Sequence, residues 1–211
     1  MYVPPAFEEN DHDVLWSMVE AQPLGLLISS TNGELNANFI PFEVRRVGDT
    51  VKLLAHLARA NGQWQSLNGE NVLVVFQGAN AFITPRWYAS KQEHGRVVPT
   101  WNYVVVQVRG LARVIEDRDW LLQQVSRLTH HHEQTVTHGE LWAVADAPAE
   151  FIQAQLKGIV GLEIDVTHIV GKVKASQNRS AEDRAGVARG LVEQGGDAAR
   201  AMSAMVAAAK A

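Results

Sequence analysis

The chain contains no cysteine, which excludes disulfides, thiolate nucleophiles, cysteine zinc sites and iron–sulfur clusters. It also lacks any run approaching the ~20 apolar residues that a membrane-spanning helix requires. The first residues, Met1 to Asp13, have neither the basic nor the apolar region of a signal peptide. A cytoplasmic protein with no membrane association is therefore expected. GxGxxG and GxxxxGKS/T are absent, which argues against Rossmann and P-loop readings. GxSxG is absent too, and no pair of carboxylates can be placed together, so no catalytic set is assigned.

Positive charge is scarce but concentrated. The formal net charge is −4, and residues 1–44 carry seven acids without one Lys or Arg. Residues 81–114 carry five bases against one acid, and 171–190 carry five against two. A whole-surface nucleic-acid binder would be basic overall, whereas a pocket for a small anion needs only local positive charge.

With 211 residues, 46% of them hydrophobic, the chain is long enough to bury a core unaided. Asn10 or Asp11 caps a first helix whose stripe is Val14, Leu15, Met18 and Val19, ended by Pro23. LGLLISS, the turn Thr31-Asn32-Gly33, the run Asn36–Val44, a turn at Arg45–Asp49 and the strand Val51–His56 read as a three-stranded meander. Ala60–Leu67 is expected to be a short helix. NVLVVFQG and AFIT read as a hairpin split near Gly78, and 85–99 as a long loop. Tyr103–Ile115 alternates Val104, Val106 and Val108 with Val105, Gln107 and Arg109, as a barrel strand does. A helix over Asp117–His132, another over Ala147–Leu156, and strands Ile159–Val166 and Ile169–Val173 follow. Two Ala-rich helical stretches broken at Gly195-Gly196 complete the chain. The fold class is α+β, an antiparallel β-barrel with peripheral helices.

Three segments could carry chemistry. In LLAHLARANGQW, a strand runs into a new helix with His56, Arg59, Asn61 and Gln63 beside it, a setting suited to an anion. The competing reading is a plain connection with a surface Arg. ITPRWYASKQEHGRVVPTWNY crowds aromatic, basic and amide groups, which suits a planar anionic ligand or, slightly better on composition, a dimer interface. In GKVKASQNR, Lys172 and Lys174 alternate on one strand face, with Ser176, Gln177 and Asn178 in a loop, and an ordinary solvated strand end is the leading reading. The His130-His131-His132-Glu133 run has spacing unsuited to two ligands on one helix face, and no metal site is expected.

Together these segments resemble the PaiB family of FMN-binding negative transcriptional regulators, which are similar to the split-barrel flavoproteins. The resemblance is carried by MYVPPAF at 1–7, ANFIPF at 37–42, LLAHLARANGQW at 53–64, VLVVFQG at 72–78, TPRWYASK at 84–91, HGRVVPTWNY at 94–103 and GKVKASQNR at 171–179. It runs in order to about Leu191 and leaves out the tail beyond Gly195. Thr84 and Arg86 depart from the Ser-Pro-Ser-Trp-Tyr that many members carry.

The resemblance implies a six-stranded split barrel over 1–178, with 179–211 as a C-terminal helical extension, and a homodimer holding FMN in clefts between protomers. It implies that His56, Arg59 and Asn61 serve the FMN phosphate with Gln63 also cofactor-binding, and that Asn38, Phe39, Ile40 and Pro41 lie along the isoalloxazine. Trp101, Asn102 and Tyr103 would approach from the partner chain, with Lys174, Gln177 and Asn178 at the cofactor rim. The implied role is negative transcriptional regulation, with DNA as a partner. The alternative is a flavin reductase or oxidoreductase using NAD(P)H.

Overall fold

The computed structural model describes residues 1–209. After a single turn of 3-10 helix at Pro5–Phe7 come β1 (Glu8–Glu9) and α1 (His12–Ala21). Asp11 caps α1: its Oδ1 accepts from the backbone N–H of Asp13 at 2.9 Å and of Val14 at 3.3 Å. Strands β2 (Leu24–Thr31) and β3 (Glu34–Pro41) follow, paired from Leu24↔Pro41 to Thr31↔Glu34. Their two-residue turn is closed by Asn32 at φ 52 and Gly33 at φ 84, the left-handed conformations that a tight hairpin demands.

Next come β4 (Glu43–Val47) and β5 (Thr50–Ala58). The run expected as one strand from Asn36 to Val44 is broken at Phe42. That residue is buried, and its N–H donates to the Pro23 carbonyl at 2.9 Å instead of continuing the ladder. The expected meander is therefore two separate hairpins. In the sheet, ordered β3-β2-β6-β7-β8-β5-β4, they stand at opposite ends.

The expected helix over Ala60–Leu67 is a five-residue 3-10 turn, Gly62–Ser66. Strand β6 then runs unbroken from Asn71 to Ile83 rather than folding into a hairpin at Gly78. Gly78 marks a close approach, not a turn: a Cβ there would lie 3.0 Å from Val104 Cβ. The expected loop at 85–99 contains a 3-10 turn, Pro85–Trp87, and α2 (Ser90–His94). Strand β7 (Thr100–Ile115) keeps the expected alternation, with Val104, Val106 and Val108 buried and the intervening residues more exposed.

Helix α3 (Arg118–Val136) is capped by Asp117, whose carboxylate accepts from Trp120 N–H at 2.7 Å, and it extends past the histidine run. After α4 (Ala149–Lys157), β8 runs continuously from Ile159 to Lys174, where two strands were expected. It pairs with β5 from Lys52↔Asp165 to Ala58↔Ile159, and its far end pairs with β1. Helices α5 (Ala181–Gln194) and α6 (Asp197–Ala208) meet at the expected Gly195-Gly196 break. The sheet has eight strands rather than the implied six.

The chain forms two compact units. One comprises Met1–Met18, Phe76–Gln107 and the chain from Val170 onward; the other comprises Val19–Val75 and Val108–Ile169. In the first unit, Ile83 and Val104 share a core with Val187 and Leu191 of α5 and Met202 and Val206 of α6. Asp183, buried in the first turn of α5, accepts from the N–H and the hydroxyl of Ser90 at 2.9 and 2.8 Å.

Candidate functional site

The first group of candidate residues lies in the second unit. His56 is near the end of β5, and its Nδ1 is 2.8 Å from Oε1 of Gln124, which is fully buried. Arg59 follows the strand. Its Nη1 meets Glu116 at 2.7 Å, its Nε and Nη2 donate to the carbonyls of Lys157 and Ile159, and its guanidinium lies 5.5 Å from the Trp64 ring centre.

Arg59 does not stand at the start of a long helix, because the following segment is a single 3-10 turn. Its positive field comes from side chains instead. Arg59, Arg118 and Lys157 line a cleft of about 180 Å³ in which Glu116 is the one acid. Arg118 and Lys157 were not singled out from the sequence. They lie far from Arg59 along the chain, and no local pattern links them to it.

Asn61 and Gln63 are largely committed to structure. Asn61 Oδ1 caps the 3-10 turn by accepting from Gln63 N–H at 3.1 Å. The Gln63 amide, buried, donates to Ser29 Oγ at 3.0 Å and accepts from Asn38 Nδ2 at 2.9 Å. This chain of amides ties β3 to the turn below it. Along β3 the side chains alternate: Phe39 is 68% exposed, whereas Ile40 is buried. Leu35, Ala37 and Phe39 thus offer an open apolar face.

The second group lies in the first unit. Trp101, at the start of β7, is 54% exposed and packs edge-to-face on Phe82 at 5.9 Å. Asn102 is fully buried, with Nδ2 donating to Ser176 Oγ at 2.9 Å. Lys172 and Lys174 do not lie idle on a solvated strand end. Lys172 is buried between Tyr2 and Tyr103, its ammonium 5.7 and 5.1 Å from their ring centres. Lys174 donates to Thr100 Oγ1. Burial lowers the Lys174 pKa from its usual 10.5; the neighbouring charges of Lys172 and Arg179 add to this against an opposing effect of Tyr103. Gln177 uses both ends of its amide within its own loop, accepting from Ala175 N–H at 2.7 Å and donating to the Val173 carbonyl at 2.6 Å. Asn178 follows it and lines a pocket with Lys174 and Arg179.

In the histidine run, Glu133 accepts from the Thr137 hydroxyl and the Trp142 N–H, and His131 stacks edge-on against His132. Among the described residues, no three His, Asp or Glu side chains converge to hold a metal ion. None of the described helices is long and apolar enough to cross a membrane.

The backbone is similar to that of the flavocytochrome Anf3 from Azotobacter vinelandii, with a TM-score of 0.56 at 14% identity over 85% of this chain and 75% of that one. It is equally similar to the FAD and heme binding protein from Mycobacterium smegmatis, with a TM-score of 0.55 at 16% identity over 90% and 80% of the two chains. The fold is that of the flavin-binding split-barrel proteins. The model of the family described as "Putative FMN-binding domain" matches residues 1–168, and the chain belongs to that family. Over 207 residues, 98% of this chain and 96% of the relative, it is 30% identical to protease synthase and sporulation protein PAI 2 of Bacillus subtilis. An uncharacterized protein of Emericella nidulans is 29% identical over 98% of this chain and 96% of its own.

Proposed function

We propose that the protein binds FMN and acts as a negative transcriptional regulator in the form of a homodimer. The cationic cleft formed by Arg59, Arg118 and Lys157 against Glu116 carries the reading. Its lining bears more positive than negative charge, and guanidinium donors match a phosphate dianion. Arg59 and His56 hold the phosphate end, with Asn61 and Gln63 shaping the turn. The open face of β3, from Asn38 to Pro41, supplies an apolar wall with Phe39 foremost for a planar ring. Trp101, Asn102 and Tyr103 are assigned to the approach from a second copy, and Lys174, Gln177 and Asn178 to the cofactor rim. Bound FMN supplies redox chemistry to a chain that has no cysteine of its own.

Replacing His56 and Arg59 together by alanine is expected to weaken FMN binding roughly tenfold or more, the worth of a lost charge-assisted contact. Riboflavin, which lacks the phosphate, should lose little. Flavin fluorescence quenching reads both affinities, and an unchanged FMN affinity would move the phosphate elsewhere.

The regulatory reading is supported by the printed name of the Bacillus relative, which ties that protein to protease synthesis and sporulation. The DNA contact is assigned to the basic stretch 84–113 or to α5. Helix α5 is a mixed surface: Glu182 and Asp183 occupy its first turn, and Arg184 Nη1 donates to the Arg179 carbonyl at 2.7 Å. A gel shift on DNA upstream of the protein's own gene is expected to show a complex that weakens steeply with salt. No complex at low salt, with anaerobic bleaching of the flavin by NADH or NADPH, would instead establish the oxidoreductase alternative.

A further inference from the structure

Beside the start of β7 and the end of β8 lies a cavity of about 110 Å³, and its lining includes Tyr88, Thr100, Asn102, Lys174, Ser176 and Arg179. We propose that this cavity is a binding site for a small oxyanion, a phosphate or short carboxylate group, held by Lys174, Arg179, Tyr88 and Asn102. Three independent features of the cavity support the assignment.

The first feature is charge. Lys174 and Arg179 both line the cavity, and no carboxylate does. Among the described residues neither cation has an acid within ion-pair distance, although six of the chain's other cations do. Lys174 meets the neutral Thr100 hydroxyl and the Phe7 ring, 5.9 Å from its centre, and Arg179 lies over the Tyr88 ring at 4.7 Å. Both cations are half-buried, and the nearest acids, Glu93, Glu182 and Asp183, line a neighbouring cavity beside Arg179 rather than this one; partial burial of a cation without an ion pair carries a cost. The lowered pKa of Lys174 reflects that cost, with burial its first cause.

The second feature is an unpaired polar atom. Asn102 is fully buried, and its Oδ1 has no hydrogen-bond partner. The Tyr88 hydroxyl, on a side chain only 2% exposed, has Arg179 as its polar neighbour. Buried polar groups are nearly always paired, so the orphaned amide oxygen beside this small cavity calls for a partner. Either orientation of the Asn102 amide leaves one of its polar atoms free. Two cations and a phenol present donors, while the amide oxygen asks for one donor in return. A monohydrogen phosphate, or a carboxylate with an adjoining hydroxyl or amino group, satisfies both demands.

The third feature is size together with backbone conformation. The cavity is far below the ~300 Å³ at which drug-sized ligand sites begin, so it takes an anionic group and not a flavin ring. Ser176, which holds the Asn102 amide, sits at φ 63, a left-handed conformation that a serine adopts at a cost.

The oxyanion could belong to a free metabolite or to the phosphate of the flavin, and one titration separates them. Inorganic phosphate, and separately acetate, is added to the protein purified without added flavin, and the Asn102 side-chain amide is followed by nuclear magnetic resonance. Saturable shifts are expected. Lys174→Met and Arg179→Gln should each weaken binding roughly tenfold or more, while Lys174→Arg retains it and controls for folding. If phosphate competes with FMN and the two charge-removing variants weaken FMN but not riboflavin, the cavity takes the cofactor's phosphate. If phosphate binds equally in the presence of saturating FMN, the site serves a separate small anion. Absence of saturable shifts with both anions, or shifts unaltered by both charge-removing variants, overturns the proposal and leaves the cavity to water. The phosphate titration reads out even if the protein takes up no flavin, so the two readings fail separately.

Discussion

Gly186→Ala is expected to destabilise the protein by roughly 2 kcal/mol or more, the cost of forcing atoms into a packed site. Helix propensity alone predicts the opposite sign, since alanine exceeds glycine by about 1 kcal/mol in a helix interior. Packing decides the outcome. Gly186 lies on the buried face of α5, and a Cβ there would overlap the carbonyl oxygen of Trp87. Four residues on, a Cβ at Gly190 would overlap the Trp87 indole. A backbone carbonyl cannot step aside by rotating a side chain, so α5 must lift from the core it shares with Ile83, Val104 and Met202. Thermal unfolding would show a clear fall in Tm for either variant. A rise in Tm would mean that α5 is not seated on the Pro85–Trp87 turn in solution.

Glu163→Gln should cost about 2 kcal/mol, below the 3–5 kcal/mol typical of breaking a fully buried pair. Glu163 is buried and accepts from Lys52 Nζ at 2.7 Å and from Arg113, while Lys52 also meets Asp165 at 2.9 Å. The half-exposed Arg113 can turn to water, and Lys52 retains Asp165, which lowers the expected loss. Burial pushes the Glu163 carboxyl upward, but the hydrogen bonds and charges of Lys52 and Arg113 outweigh it and hold its pKa below 4.5. Its stabilising contribution is thus complete above pH 4.5 and is lost as pH falls through the depressed folded-state value. Lys52, raised above 10.5 chiefly by its hydrogen bond to Glu163, loses its share only in strong alkali. Urea unfolding from pH 7 to pH 3 should show the gap between wild type and variant closing only below about pH 4.5. A gap independent of pH across that range would discount the charge network.

Much of the local structure was legible in the sequence because its causes are local. Asn32-Gly33 specifies a tight hairpin, Asp11 and Asp117 cap the helices that follow them, and Gly195-Gly196 divides α5 from α6. The period-two pattern of β7 announces a strand with one buried face. The motifs resemble those of an FMN-binding family, and the family match over residues 1–168 bears this out.

The misread positions share one cause: the deciding partner lies elsewhere in the chain. Gly78 resembles a turn until Val104 is seen against it, and Phe42 continues a strand until it turns into the core and pairs with Pro23. The candidate site follows the same rule. Arg59, Asn102 and Lys174 were visible as residue types in suggestive company, but their electrostatic roles depend on Glu116, Ser176 and Thr100.

By itself, then, the sequence determined the chain's lack of thiol chemistry, its turns and caps, its alternating strands and its flavin-binding kinship. The first three follow from composition and from neighbours a few residues apart; the kinship was read from a resemblance of motifs. Only the tertiary structure decided that β6 and β8 run unbroken while the Asn36–Val44 run divides at Phe42, that Arg59 shares a cleft with Arg118 and Lys157, and that Lys174 and Arg179 border a small cavity lined by no carboxylate. Burial and charge balance belong to groups brought together across many tens of residues, and no local pattern encodes them.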